Sequence, residues 1–438
     1  MSPSSRNSPD SAPNSSPSST KPSALRSSFA SASRGSSVSE ATTLGALASQ
    51  GRVLLNDGYR TRSDELGLPG VAILRVAEIQ DGFIAPSFGD HVHENFRSKF
   101  ASKCSAAGDV VVTTKGTVGR VALMRPHHPE FVYSPQVCFF RCEDGSGVCA
   151  EWLYYWFRGP EFRAQAAGVQ SQTDMAPYIN LADMRRLTIT VPSPAVQRAI
   201  AGVLGALDDK IESNRRLIST CTQLAGSLLS AGGDYVRVGD RADIVKGLSY
   251  KGVGLTESTT ATPMFNLGNF SPSGWLNRSA TKYYTGGFKD RHTVRTGDLI
   301  VANTDLTQQR VILGRPALVP PLEGAGIITH HVFAVRSDDP RLRLGLWAQL
   351  NGSNFRERAE GYATGTTVAS MPADALADFI VTVPSQTQVD EAQALIERAW
   401  RAESESDVLA ATRDALLPEL LSGRLQVRSS VELFEGAV

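Results

Sequence analysis

The sequence predicts an α+β protein that uses one unit twice: two tandem mixed α/β domains, separated by two long helices that pair as an antiparallel coiled coil about an approximate twofold axis. Three observations predict it. A shift of 192 residues brings the chain into register with itself. Short β-type runs punctuated by Gly, Pro, Asp and Ser fill the first part of each unit. A sustained heptad seam fills the second part.

The repeat is clearest at Thr190-Val191-Pro192-Ser193, which falls on Thr382-Val383-Pro384-Ser385, and at Leu228-Leu229-Ser230, which falls on Leu420-Leu421-Ser422. Asp81-Gly82-Phe83-Ile84 falls on Ser273-Gly274-Trp275-Leu276. With small loop drift, Gly108-Asp109-Val110-Val111-Val112 matches Gly297-Asp298-Leu299-Ile300-Val301. Solenoid repeats run to about 20–50 residues, so a unit this long is a duplicated domain. The spacing divides the chain into a disordered Ser/Pro-rich tail (1–44), a first domain (45–191), a first helix (192–233), a second domain (234–383), a second helix (384–427) and a C-terminal tail (428–438). Residues 1–40 hold almost no large apolar side chains and cannot offset their ordering entropy. The scattered bases there suit an organelle transit peptide only superficially, since no amphipathic period accompanies them.

Within the domains, Asp109–Thr114, Arg120–Met124, Val137–Cys142, Leu299–Asn303 and His331–Val335 read as strands. Glu151–Phe157 and Leu344–Leu350 read as short helices. Ile200, Leu204, Leu207, Ile211, Asn214, Ile218, Cys221, Ala225 and Leu228 step by fours and threes along the first long helix. One polar residue in such a seam, here Asn214, fixes register. Ala392, Leu395, Ala399, Ala402, Ser406, Leu409, Leu416 and Leu420 form a weaker counterpart that Arg413 interrupts. At ~1.5 Å per residue, ~35 residues give a rod of roughly 50 Å.

The 438 residues carry 44 Lys+Arg against 44 Asp+Glu, which excludes a polycation that coats nucleic acid through bulk charge. No apolar run approaches the ~20 residues of a membrane span. Five cysteines without a CxxC pair read as small apolar residues of a reducing, cytoplasmic protein, with Cys138, Phe140 and Cys142 on one strand face. There is no GxxxxGK[ST], no GxGxxG after a strand, no Asn/Asp-Pro-Pro-Tyr/Phe, no GxSxG and no HExxH. Asp208-Asp209-Lys210 resembles a nuclease D-x-K but lies on the heptad helix, and the pairs His91/His93, His127/His128 and His330/His331 lack a carboxylate cluster at ligand spacing. The residues thus predict no catalytic centre and no bound metal.

Charge is uneven along the repeat. Residues 97–125 hold Arg97, Lys99, Lys103, Lys115, Arg120 and Arg125 against Asp109, and 289–317 hold Lys289, Arg291, Arg295, Arg310 and Arg315 against three aspartates, with Arg278 and Lys282 adjoining. The helices carry compensating acid at Glu397, Glu403, Glu405 and Asp407. Two basic patches at equivalent places suit two phosphate-contacting faces. Thr113, Thr114, Lys115, Gln170 and Gln172 in the first copy are of the types that read base edges, as are Asn303, Thr304, Gln308, Gln309 and Arg310 in the second. With Lys99, Lys103, Arg120, Lys282, Lys289 and Arg291 they make the candidate DNA-binding set.

The run Val191–Ala201, continuing into Leu207-Asp208-Asp209-Lys210-Ile211-Glu212-Ser213-Asn214, resembles the specificity subunits of type I restriction–modification systems. Gly108–Gly119 resembles the strand-and-loop signature of that family's target recognition domains, and Leu416–Leu425 the close of its second conserved helix. The resemblance spans about 45–427. It departs where the second copy has Asn303-Thr304-Asp305 for Lys115-Gly116-Thr117, and where Leu-Asp-Asp-Lys-Ile finds no counterpart after Gln393. It implies a non-catalytic subunit whose two domains each read half of a split, asymmetric site in double-stranded DNA. The implied partners are two methyltransferase subunits and, through them, restriction subunits. S-adenosylmethionine, ATP and magnesium would be bound by those partners and no cofactor by this chain. The alternatives are a scaffold or decoy that holds methyltransferase subunits without reading DNA, and a metal-dependent nuclease using the His pairs or Asp208.

Overall fold

The computed structural model describes residues 39–169, 178–307, 309–365 and 368–427. The first domain comprises β1 (Glu40–Thr43), α1 (Leu44–Ser49), β2 (Val53–Asp57), β3 (Gly70–Leu74), β4 (His91–His93), β5 (Val110–Thr113), β6 (Val121–Leu123), β7 (Phe131–Tyr133), β8 (Val137–Cys142), α2 (Ala150–Arg158), α3 (Pro160–Val169), α4 (Leu181–Arg186) and β9 (Thr188–Val191). Then follows α5 (Pro194–Leu229). The second domain repeats the strands as β10 (Asp234–Arg237), β11 (Asp243–Lys246), β12 (Thr262–Phe265), β13 (Lys282–Tyr284), β14 (Leu299–Ala302), β15 (Pro316–Leu318), β16 (Gly326–Ile328), β17 (Val332–Arg336) and β18 (Ile380–Val383). Its helices α6 (Pro340–Gln349) and α7 (Ser353–Tyr362) precede β18, and α8 (Gln386–Leu421) closes the described chain.

The main strands recur in the same order in the two domains. The first domain holds a four-stranded sheet ordered β2-β8-β5-β6, and the second one ordered β11-β17-β14-β15. A smaller sheet β4-β3-β7 recurs as β13-β12-β16, flanked there by short strands at 255–256 and 293–294. β3 and β7 run parallel, as do β12 and β16. The pair β1–β9 recurs as β10–β18.

Away from the edge strands β2 and β11, the four-stranded sheets are buried on both faces, so those strands read as near-continuous apolar runs. Val110, Val112, Cys138 and Phe140 face a core shared with Trp152, Leu153, Trp156 and Phe157 of α2. Val111, Val137 and Phe139, one residue out of phase, face Ala72 and Leu74 of the smaller sheet. Leu299, Val301, Phe333 and Val335 against Ile300, Ala302, Val332 and Ala334 repeat the arrangement. The expected strand face of Cys138, Phe140 and Cys142 is thus present, and all five cysteines are free thiols.

One boundary needs correction. The expected tail of 1–44 runs too far, because Glu40–Thr43 pairs antiparallel with Thr188–Val191 and Thr43 caps α1, accepting from Ala46 N. A run of small and β-branched residues looks unstructured by composition but still supplies backbone to an edge strand. Residues 1–38 and 428–438 lie outside the described residues.

α5 and α8 are each 36 residues long and are displaced by 192 residues at both ends. They pack antiparallel, since Asn214 Nδ2 reaches Ala402 O at 3.2 Å and Gln388 Nε2 reaches Leu228 O at 3.0 Å. Ile200, Leu204, Ile211, Asn214, Cys221 and Ala225 are buried as the heptad predicts, while Leu207 and Ile218 are half-buried. At the far end Leu229 takes the core position expected of Leu228, and on α8 Ile396 and Leu417 take those expected of Leu395 and Leu416. The Pro194 start fixes helical φ at the first turn. Gln197, fully buried, accepts from Cys149 N and donates to Gly147 O and Pro192 O, fastening the helix start to its domain.

Leu204 joins the first core to Leu417 and Leu420 of α8 and has no exposed surface. Leu204→Ala is expected to cost about 2–5 kcal/mol, the range for truncating a buried leucine. Urea denaturation followed by far-UV circular dichroism checks this; a loss below about 1 kcal/mol would mean that the seam does not hold domain and helices together.

Candidate nucleic-acid interface

β2 and β5 both run antiparallel to β8, so the ends of β2 and β5 and the start of β8 meet at one edge of the sheet. That edge is built by the loops 58–62, 114–120 and 134–136, with Tyr178 and Ile179 arriving from the helical side. Gly58 N donates to Val137 O (3.1 Å), Thr114 N to Gln136 O (2.9 Å) and Ile179 N to Thr114 O (2.9 Å). In the second domain Gly247 N donates to Val332 O (3.1 Å), Asn303 N to His331 O (3.0 Å) and Met371 N to Asn303 O (2.8 Å). The two rims are therefore equivalent bond for bond, with Thr114 matched to Asn303 and Gln136 to His331. Glycine is required where the chain turns into each rim: a Cβ on Gly58 would lie 2.1 Å from Ser134 O, and one on Gly247 2.4 Å from Ile328 O.

The shared frame carries different side chains. The first rim exposes Arg60, Arg62, Lys115, Gln136 and Tyr178. The second exposes Lys246, Ser249, Lys251 and Gln309, with Arg310 and His330 half-buried. Arg310 has φ +49°, a left-handed conformation that turns the chain after Gln309, and its carbonyl accepts from Arg356 Nη2 at 3.0 Å. Burial, then the neighbouring His330 and Lys246, holds the His331 imidazole below its ordinary pKa, so this part of the rim offers a neutral ring at neutral pH.

Several expected readers stand elsewhere in the network. Thr113 is fully buried, its hydroxyl donating to Thr117 O and accepting from Arg120 N (2.9 Å), so it shapes loop 114–120 and cannot meet a base directly. Asn303 and Thr304 are buried as well: Asn303 Nδ2 donates to His330 O (3.1 Å), and Thr304 Oγ1 donates to Asn303 Oδ1 (2.6 Å). These three are corrected from contact residues to loop-shaping ones, since their polar atoms are already satisfied inside the protein. Thr114 Oγ1 bonds Gln136 O at 2.9 Å. Arg120 Nη1 reaches Ile79 O at 3.3 Å. Lys103 is clamped by Asn56 Oδ1 (2.6 Å) and Asp57, and Lys99 pairs with Glu65 at 3.0 Å beside loop 58–62. Lys282 is exposed on β13 and paired across to Met264, while Lys289 and Arg291 are exposed at the turn 290–292. Gln170, Gln172 and Gln308 lie outside the described residues.

Sequence reading missed Arg60, Arg62, Gln136, Tyr178, Lys246 and Lys251. The usable signal was the glycine pair Gly58 and Gly247, 189 residues apart and each followed by bases within four positions. Among the described residues, no group of three His, Cys, Asp or Glu is placed to hold a metal ion. Asp208 is engaged by Tyr155, Arg158 and Arg413. No helix among the described residues is long and apolar enough to cross a membrane.

Residues 78–223, which contain Lys115, Gln136 and Tyr178 of the first rim and most of α5, match the family model for the type I restriction modification DNA specificity domain. The match covers a third of the chain, and this segment is similar to that specificity domain. The fold of the chain is also similar to that of the type I restriction–modification S subunit from M. genitalium, at 14% identity and TM-score 0.51 over 88% of this chain and 96% of that one. The HsdS subunit from Thermoanaerobacter tengcongensis aligns over 85% of this chain and 97% of its own, at 16% identity and TM-score 0.30. No curated protein matches the chain. The second rim lies outside the matched segment, where the strand order and rim bonds of the first recur.

Lys115 is an exposed cation of the first rim, bridged through its backbone to Tyr178. Lys115→Ala is expected to weaken DNA binding and lower the slope of log K against log salt by about 0.9, one phosphate contact. Filter binding across a salt series reads it, and an unchanged slope would place Lys115 outside the interface.

Proposed function

We propose that this chain is the DNA-reading subunit of a type I restriction–modification complex, taking a split, asymmetric target with one half-site on each rim. One observation carries the reading: two rims share a hydrogen-bonded frame but present different side chains, and a rigid helix pair joins them. An identical frame gives the same approach to the duplex, and different residues give different half-sites. Two helices of 36 residues span roughly 54 Å at ~1.5 Å per residue, enough to set rims about one helical turn (~34–36 Å) apart.

The chain itself performs no chemistry in this reading. Two methyltransferase subunits dock on it, bring S-adenosylmethionine and flip an adenine at each half-site; ATP-driven restriction subunits, with their magnesium, join through them. The acidic faces of the helices balance the basic rims, so the partners supply much of the electrostatic grip. Footprinting of the assembled complex tests it. Two protected segments separated by an accessible gap are expected; a complex that assembles but leaves no bipartite protection is a scaffold or decoy instead.

A further inference from the structure

We infer that Asp208 is a positioning residue that fixes the first recognition domain on the helix pair and thereby sets the gap between half-sites. The inference rests on the bipartite reading above. Asp208 Oδ2 accepts from Tyr155 Oη at 2.8 Å and Arg158 Nη1 at 3.2 Å, and Oδ1 accepts from Arg413 Nη1 at 2.7 Å. One carboxylate thus ties α2 of the domain to both α5 and α8. Its side chain is 12% exposed and that of Arg158 4% exposed, so water competes little for these bonds.

The equivalent joint of the second domain is built from different chemistry. A shift of 192 carries Tyr154, Tyr155, Arg158 and Asp208 onto Leu346, Trp347, Leu350 and Trp400, and carries Cys221 onto Arg413. Leu346, Trp347, Leu350 and Cys221 are buried, and Trp400 packs against Trp275 with ring centroids 6.2 Å apart. A charged hydrogen-bond fork holds distance and angle together, whereas apolar packing is non-directional and tolerates small rotations. The second domain's polar ties to the rod, Trp275 Nε1 to Glu403 Oε1 (3.2 Å) and Arg278 to Asp407 (3.1 Å, side chains 37% and 62% exposed), engage α8, whereas Asp208 joins the first domain to both helices at one largely buried carboxylate. Each base pair of gap moves a half-site by ~3.4 Å and about a tenth of a turn, so a loosened joint shows as relaxed gap choice.

The test uses the complete chain assembled with its methyltransferase subunits. Sequencing methylated adenines in host DNA gives the target, and duplexes with the gap changed by one base pair either way are then methylated in competition with it. Asp208→Asn is expected to lower the preference for the natural gap about tenfold while leaving base preference in both half-sites intact. Tyr155→Phe, which removes one hydroxyl from a packed ring, is expected to lower it in the same direction by a smaller factor. Altered base preference with unchanged gap preference overturns the inference. So does an Asp208→Asn chain that fails to assemble while Tyr155→Phe keeps the wild-type gap ratio. A wild-type complex that methylates no bipartite site overturns the functional reading itself, and this inference with it.

Discussion

On the proposed function, replacing residues 234–383 with the second domain of a known type I specificity subunit is expected to change one half of the methylated sequence and leave the other half untouched. The two domains have separate cores, and the chain crosses between them only through the helices. The graft ends at β18, just before the Ser385 cap of α8. Its success depends on the apolar positions that the second domain offers to Ala225, Leu229, Val389, Ala392 and Ile396, which complete its core from the helices. Sequencing methylated adenines in cells carrying the exchange reads both halves at once. A change in both halves, or in neither, would mean that the rims do not read independently.

The second large effect is on stability and differs between copies of one motif. Asp109, in Gly108-Asp109-Val110, is fully buried and accepts from Arg141 Nε and Nη2 (both 2.7 Å), Tyr133 Oη (2.8 Å) and Ala106 N (2.8 Å). Burial and the facing carboxylate push the Tyr133 phenol well above its usual range, so it stays a donor. Asp109→Ala removes the buried acceptor of Tyr133 Oη, Ala106 N and Arg141, whose guanidinium is 29% exposed and keeps its bond to Cys104 O (2.9 Å), and is expected to cost about 2–4 kcal/mol. Asp298, its equivalent, pairs with Arg336 at 3.0 Å in a site where the two side chains are 24% and 31% exposed. Asp298→Ala is expected to cost only about 1 kcal/mol. Parallel urea denaturations of the two variants decide it; equal losses would show that burial does not separate the two pairs.

The duplication, the sheet-forming runs and the helix pair were legible because each is a pattern of apolar positions, and apolar burial follows periodicity. Val137–Cys142 and the Asn214 seam are the clearest examples. The rims were legible only in outline. Side-chain type marked Thr113, Asn303 and Thr304 as base readers, but a strand's last residue turns inward as readily as outward, and theirs bond their own loops. Arg60, Gln136 and Lys251 escaped because the rim joins loops far apart in sequence, and no local spacing announces that meeting. Charge counting misled for a related reason. Arg97, Lys99 and Lys103 lie in a basic window, yet Glu130, Glu65 and Asp57 from outside it neutralise them.

The strand pair β1–β9 carries a consequence for connectivity. β1 stands to the first domain as β10 stands to the second, but β10 follows a long helix directly and β1 does not. At the other end, Leu416, Leu417, Leu420 and Val427 pack on the first domain's core. Both ends of the described chain thus settle on the same domain, and the order domain, helix, domain, helix is cyclic. Joining 427 to 39 through a short linker and opening the chain between 230 and 234 would present the same domains in the same mutual arrangement. The covalent break point is therefore incidental to the shape, and a permuted chain is expected to read the same DNA.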